Sequence, residues 1–136
     1  MLQIVRTTTQ HIETIKQFLQ LEQMEEIIDV DIEGMFSIVD EYENVYMVFK
    51  TIVFWKGRGI FKSFIARNCR TKLFGIVKIL KNLYKEYAPE RLEVEILYGF
   101  KQAIRLAEMF GFHKESLMFN YYHHKDYYLY VKFKTE

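Results

Sequence analysis

Leu73, Val77, Leu80, Tyr84 and Tyr87 recur at helical spacing, while Lys78, Lys81 and Lys85 fall on another face of the same segment. An amphipathic helix sorts these residues into an apolar stripe and a wet face. Pro89 ends it, because proline has no N–H to continue the ladder. Leu92, Val94 and Ile96 then alternate with Glu93 and Glu95, the period of a strand with one face buried. A second helical stripe follows over Phe100 to Phe110, carried by Ala103, Leu106, Ala107 and Phe110. Gly111 stands where a left-handed C-cap is wanted. Helix, strand and helix in succession, each with one apolar side, call for a sheet flanked by helices.

The rest of the chain fits that frame. Leu2 to Arg6 reads as a short strand, and Thr7 to Gln10 has capping-box spacing at the head of a helix carrying Ile12, Ile15 and Leu19 to about Gln20. Leu21 to Asp31, acidic but with Met24, Ile27 and Ile28, reads as a second short helix or a turn. Met35 to Val39 and Val45 to Phe49 form a hairpin across the polar turn Asp40-Glu41-Tyr42-Glu43-Asn44, and Thr51 to Trp55 extends the second strand. Lys56-Gly57-Arg58-Gly59 is a break before a strand over Ile60 to Ala66. Ser116 to Tyr122 and Tyr127 to Phe133 are strands joined through His123-His124-Lys125-Asp126. The expected order is β-α-α-β-β-β-α-β-α-β-β, a mixed, mostly antiparallel α/β sheet flanked by helices, in one domain over residues 1–136.

Composition excludes several classes. With a net charge of +1, no global basic field points to nucleic acid. The basic stretch Lys56, Arg58, Lys62, Arg67, Arg70 and Lys72, interleaved with Trp55, Phe61 and Phe64, has a composition that can meet single strands. On alternating strands the same pattern marks one wet and one packed face, and nucleic acid is not the expected partner. A single cysteine, Cys69, forms no intramolecular disulfide and reads as a small buried hydrophobe. His123 and His124 are adjacent in a turn without further ligands at metal spacing, so no metal is expected. No run approaches a membrane span, and Met1 to Arg6 lacks the basic-then-apolar order of a leader, so a cytoplasmic domain is expected.

Two motifs carry chemistry. Arg70-Thr71-Lys72-Leu73-Phe74-Gly75 lies between a strand and the best helix, and Ala103-Ile104-Arg105-Leu106 with Gly111-Phe112 closes the last helix. Both resemble the GNAT family of N-acetyltransferases, and the element order resembles that fold over nearly the whole chain. The first matches the loop form [Q/R]-x-x-G-x-[G/A], with Arg70 first, Gly75 last and Leu73 in place of the middle glycine. The second matches A-I-x-L-Y-x-x-x-G-F, with Ala107 in place of the tyrosine and Phe100 where asparagine is common. The looser pattern is also similar to short GNAT-like proteins of bacteriophages, some of which are packed inside virions.

The resemblance implies acetyl transfer from acetyl-CoA to an amine, borne by a small molecule or a protein. It implies that Arg70, Thr71, Lys72, Leu73, Phe74 and Gly75 hold the cofactor's pyrophosphate, helped by the unsatisfied N–H groups of a helix start. It implies too that the strands Ile60–Ala66 and Leu92–Ile96 splay to admit the pantetheine arm. Glu95 is the candidate base for the amine proton. Alanine cannot donate a proton, so the acid falls to another residue. Tyr98 is that candidate, with Tyr121, Tyr122, Tyr127 and Tyr128 as further ones. The same departures point to an alternative: a fold kept without catalysis, as a binding or structural protein of a virion or one acting on a host protein. The aromatic excess, twelve Phe and ten Tyr, fits a protein partner or a homodimer, between which the sequence does not choose.

Overall fold

A computed structural model describes residues 1–19, 21–23 and 31–134. Its strands are β1 (Gln3–Arg6), β2 (Phe36–Val39), β3 (Val45–Trp55), β4 (Arg58–Ile65), β5 (Arg91–Leu97), β6 (His113–Tyr122) and β7 (Lys125–Phe133). Its α-helices are α1 (Thr9–Phe18), α2 (Leu73–Tyr87) and α3 (Lys101–Phe110), with short 3-10 helices at Leu21–Gln23 and Arg67–Lys72. Backbone hydrogen bonds order the strands β1-β2-β3-β4-β5-β7-β6. Every pairing with a described register is antiparallel except β4–β5, which is parallel over Arg58–Ile60 and Arg91–Glu93. The chain clusters into two compact units, Met1–Lys50 with Ser63–Ile76, and Thr51–Lys62 with Val77–Glu136.

The first unit holds β1, α1, β2, the start of β3 and the end of β4. Ile12, Ile15, Leu19, Met35, Val39, Val45, Val48, Phe64 and Ala66 form its buried cluster. Helix α1 starts one residue later than the sequence suggests. Thr8 is the N-cap: its hydroxyl accepts from His11 N–H, and His11 Nδ1 accepts from Thr8 N–H. Thr7 is withdrawn from capping because its hydroxyl is buried against Ser37 Oγ at 2.8 Å. The second short helix expected after it is a 3-10 turn at Leu21–Gln23, and Met24, Ile27 and Ile28 lie outside the described residues. The β2–β3 turn is organised by Asp40, which accepts from Tyr42 N–H, Asn44 N–H and Nδ2, and the Tyr46 hydroxyl.

Those hydrogen bonds, the Asn44 side chain first, hold the Asp40 carboxyl down to about 2. A carboxyl that is more acidic folded than unfolded stabilises the fold above the ordinary carboxylate range, about pH 4, and that contribution fades as pH falls toward 2. Acid titration of Asp40→Asn is therefore expected to show a flatter loss of stability over this window than the parent. Superimposable profiles would remove Asp40 from the acid response.

In the second unit, Lys56 and Gly57 form a tight turn rather than a longer break, so that β4 begins at Arg58. Strand β6 begins at His113, and the turn to β7 narrows to His123 and His124, both at positive φ (49° and 61°). Leu92, Ile96, Phe100, Leu106, Phe110, Tyr130 and Val131 are buried. Phe100 stands at the N-cap position of α3 without a side-chain hydrogen bond to it, and Gly111 ends the helix at φ 102°, donating to Glu108 O while Phe112 N–H reaches Ala107 O. That pair of hydrogen bonds closes the helix in the left-handed conformation glycine tolerates best. Ala107 faces the interior, 8% exposed.

Candidate functional site

The loop read from the sequence as a phosphate cradle lies in the first unit and is helical. After β4, Arg67–Lys72 winds as a 3-10 helix, and Leu73, at φ −54° and ψ −47°, carries it directly into α2. Its turns are closed internally, with Cys69 N–H on Ala66 O at 3.0 Å and the Thr71 hydroxyl on Asn68 O at 2.7 Å. Winding of this kind uses up N–H groups that a freshly started α-helix leaves open. Arg70, Thr71 and Lys72 are exposed, Leu73 is partly buried, and Phe74 is 83% exposed. Arg67 donates from Nη2 to Gln17 O at the end of α1, at 3.2 Å. A Cβ on Gly75 would stand 2.9 Å from Leu2 Cδ1, so this glycine serves close packing of α2 on the β1 end of the chain. Cys69 is buried, and burial pushes its thiol up to about 12.

The strand leading into this loop carries the other half of the site. Ala66 N–H donates to Tyr46 O on β3 at 3.0 Å. Peptide groups alternate between the two edges of a strand, so Ser63 and Ile65 present theirs on the opposite edge. That edge is engaged by one side chain: Gln23 Nε2 donates to Ser63 O at 2.6 Å, and Ile65 N–H donates to Gln23 Oε1 at 2.7 Å. Gln23 is 7% exposed. Sequence reading passed over it, because it sits in a polar turn and its partners lie 40 and 42 residues away.

Glu95 and Tyr98 lie in the second unit, with separate partners. Glu95 accepts a hydrogen bond from the Tyr121 hydroxyl. That bond, with burial behind it, pushes the Tyr121 phenol up to about 12, so it stays protonated at neutral pH. Tyr98 is exposed and its ring stacks, tilted, on Tyr128 at 5.3 Å. Glu93 is not solvent-facing as its alternation suggests. It is 4% exposed and accepts from Arg58 Nε (2.6 Å) and Nη2 (3.2 Å) and from Arg91 Nε (3.0 Å). Arg91 also forks onto Glu115 at 2.7 and 3.0 Å. Arg58, first in the basic stretch to be paired, is thus a structural cation, and Phe64 of the same stretch is core. Among the described residues no cluster of His, Cys, Asp and Glu has the makings of a metal site, and no helix is long and apolar enough to cross a membrane.

Acetyl-CoA, the cofactor the fold implies, has an amide-bearing arm that ends in a pyrophosphate. The residues present suit those groups in kind: the β4 edge already holds an amide, that of Gln23, and the exposed cations Arg70 and Lys72 follow it along the chain.

No protein-family model and no curated protein sequence matches the chain. Solved structures do. A GNAT-family acetyltransferase from Bacillus anthracis superposes with a TM-score of 0.72 at 14% identity, covering 99% of this chain and 96% of that one. Ard1 from Thermoplasma volcanium gives 0.74 at 14% identity and 99% of both chains. A mutant form of the spermidine/spermine N-acetyltransferase SpeG from Vibrio cholerae gives 0.70 at 14% identity, covering 99% and 96%. Element order, strand order and these superpositions agree: the chain has the GNAT acetyltransferase fold.

Proposed function

We propose that the protein is an N-acetyltransferase of the GNAT type, moving an acetyl group from acetyl-CoA to an amine. The observation that carries this reading is the order of groups along one segment: a strand edge at Ser63 and Ile65 that holds an amide, then the exposed cations Arg70 and Lys72 in the 3-10 helix before α2. Acetyl-CoA supplies, when bound, an acyl group activated as a thioester. The backbone of β4 would orient the amide arm, and Arg70 and Lys72 would neutralise phosphate charge. Glu95 is the proposed acceptor of the amine proton. Tyr121, which donates to it, would have to release it first. Tyr98, exposed, is the proposed proton donor to the leaving thiolate.

A second reading, a noncatalytic binding protein on the same fold, is favoured by Ala107, whose methyl group is buried in the position the family gives to tyrosine. Calorimetry with acetyl-CoA separates the two. The parent is expected to bind in the micromolar range, and Arg70→Glu to weaken binding at least tenfold, about 1.4 kcal/mol or more. A parent that binds nothing at millimolar acetyl-CoA, or an Arg70→Glu variant of unchanged affinity, would overturn the enzyme reading.

A further inference from the structure

Strand β3 changes character at Lys50. Val45–Phe49 are buried, whereas Thr51–Trp55 are exposed one after another. Successive side chains of a strand point to opposite faces, so Ile52 and Phe54 stand on one face and Thr51, Val53 and Trp55 on the other. Both faces of this stretch are therefore open, with Val53 52% and Trp55 60% exposed. One edge is open as well. Strand β2 is four residues long, and its register with β3 ends at the Phe36–Phe49 pair. Among the described residues, no strand lies beside Thr51–Trp55 on the edge away from β4. Three β-branched residues followed by two aromatic ones, with no charge and no proline, leave that edge fit to pair with another strand. The outer strands of the sheet are protected by comparison. β1 is four residues and ends in Arg6, and β6 is interrupted by register shifts at Lys114–Ser116 and Met118–Tyr122, with Asn120 at φ 49°.

We propose that Thr51–Trp55 is a homodimer interface, pairing antiparallel with the same segment of a second copy about a two-fold axis at Val53. In that register the segment is its own complement. Val53 meets the partner's Val53, Ile52 meets the partner's Phe54, and Thr51 meets the partner's Trp55; the two-fold axis repeats the last two pairs. Each aromatic ring lies opposite a β-branched residue, a favourable cross-strand pair, and this holds on both faces. A partner lying flat on one face would leave the other wet. A coplanar strand covers both and takes up the N–H and C=O groups of the open edge. The two rings are already held in place. The Arg58 guanidinium lies 5.0 Å from the Phe54 ring centroid, and the Trp55 ring occupies the space a Cβ on Gly57 would need. Little side-chain freedom is then left to lose on pairing. One feature opposes association: Lys56 falls opposite the partner's Lys50 at each end of the pair. Like charges directly opposite are destabilising, but Lys56 is exposed and salt screens it. A five-residue pair is smaller than a standard interface, so the dimer is weak and reversible. Self-pairing at this edge does not depend on acetyl-CoA use.

The test is sedimentation equilibrium of the full chain up to millimolar concentration. The emission of Trp55, the only tryptophan, is followed over the same series. The parent is expected to pass from monomer to dimer, with the emission moving to the blue as the ring is covered. Val53→Lys sets two like charges across the axis and is expected to weaken dimerisation at least tenfold. Lys56→Glu makes both end pairs attractive and is expected to tighten the dimer at least threefold at low salt, a gain that fades as salt is raised. Tighter association cannot come from a failure to fold. Lys62→Glu changes the net charge equally but stands on β4, and Phe119→Ser lies on β6; both are expected to leave the dimer unchanged. A parent that stays monomeric throughout would overturn the proposal. So would a dimer that forms without a change at Trp55, that tolerates Val53→Lys, or that is lost with Phe119→Ser instead. Equal tightening by Lys56→Glu and Lys62→Glu would point to overall charge rather than to this register, and would overturn it too.

Discussion

Glu93→Ala is expected to lower stability by about 2–3 kcal/mol, a large loss for a strand residue. The carboxylate is 4% exposed and accepts three hydrogen bonds from two guanidinium groups. Its removal takes from Arg58 its carboxylate partner and leaves Arg91 held by Glu115 alone. Breaking a fully buried pair costs roughly 3–5 kcal/mol, but the Arg58 side chain is 48% exposed and can turn to water, which places the figure lower. The effect has a pH signature. Hydrogen bonds from Arg58 and then Arg91 hold the Glu93 carboxyl below the usual carboxylate range, with burial opposing them. Its contribution is therefore complete above that range and is lost as pH falls through it. Urea midpoints of parent and variant should differ most at neutral pH and converge in acid. A constant gap across pH would mean that the loss is packing rather than charge.

Leu19→Ala is expected to cost about 3–5 kcal/mol, the upper part of the range for truncating a buried leucine. Leu19 is 1% exposed within a cluster that includes Ile15 and Val48, both fully buried, and it bridges to Ala66. A site framed by a helix end and a strand bridge has little room to collapse into the void. Phe18, its neighbour, is 45% exposed, and Phe18→Ala is expected to cost under about 1 kcal/mol. Urea unfolding of the two variants checks the contrast, and equal losses would place the cluster's boundary elsewhere.

The parts of this fold that announce themselves in the sequence are those where one local period decides. The stripe from Leu73 to Tyr87 is α2 residue for residue, and Gly111 caps α3 as its position suggests. Distant partners obscured the rest. Thr7 has the spacing of a cap but is claimed by Ser37, thirty positions away, so Thr8 and His11 form the box. Glu93 alternates like a wet residue, yet Arg58, 35 positions earlier, makes its burial tolerable. Arg67–Lys72 has no apolar period over its 3-10 turns and therefore reads as open loop. In the candidate site, Arg70 and Gly75 were legible as a motif. Gln23 was not, since nothing in a sequence marks a side chain that completes a distant strand edge.

Cys69 gives this architecture an internal clock. The thiol is 1% exposed and, with burial pushing it up to about 12, almost none of it is thiolate at neutral pH. Only the thiolate attacks an alkylating reagent. Any modification must then wait for the 3-10 helix that encloses Cys69 to come apart. As the only cysteine in the chain, it turns the rate of labelling into a count of how often the segment between β4 and α2 opens, with no probe to be engineered.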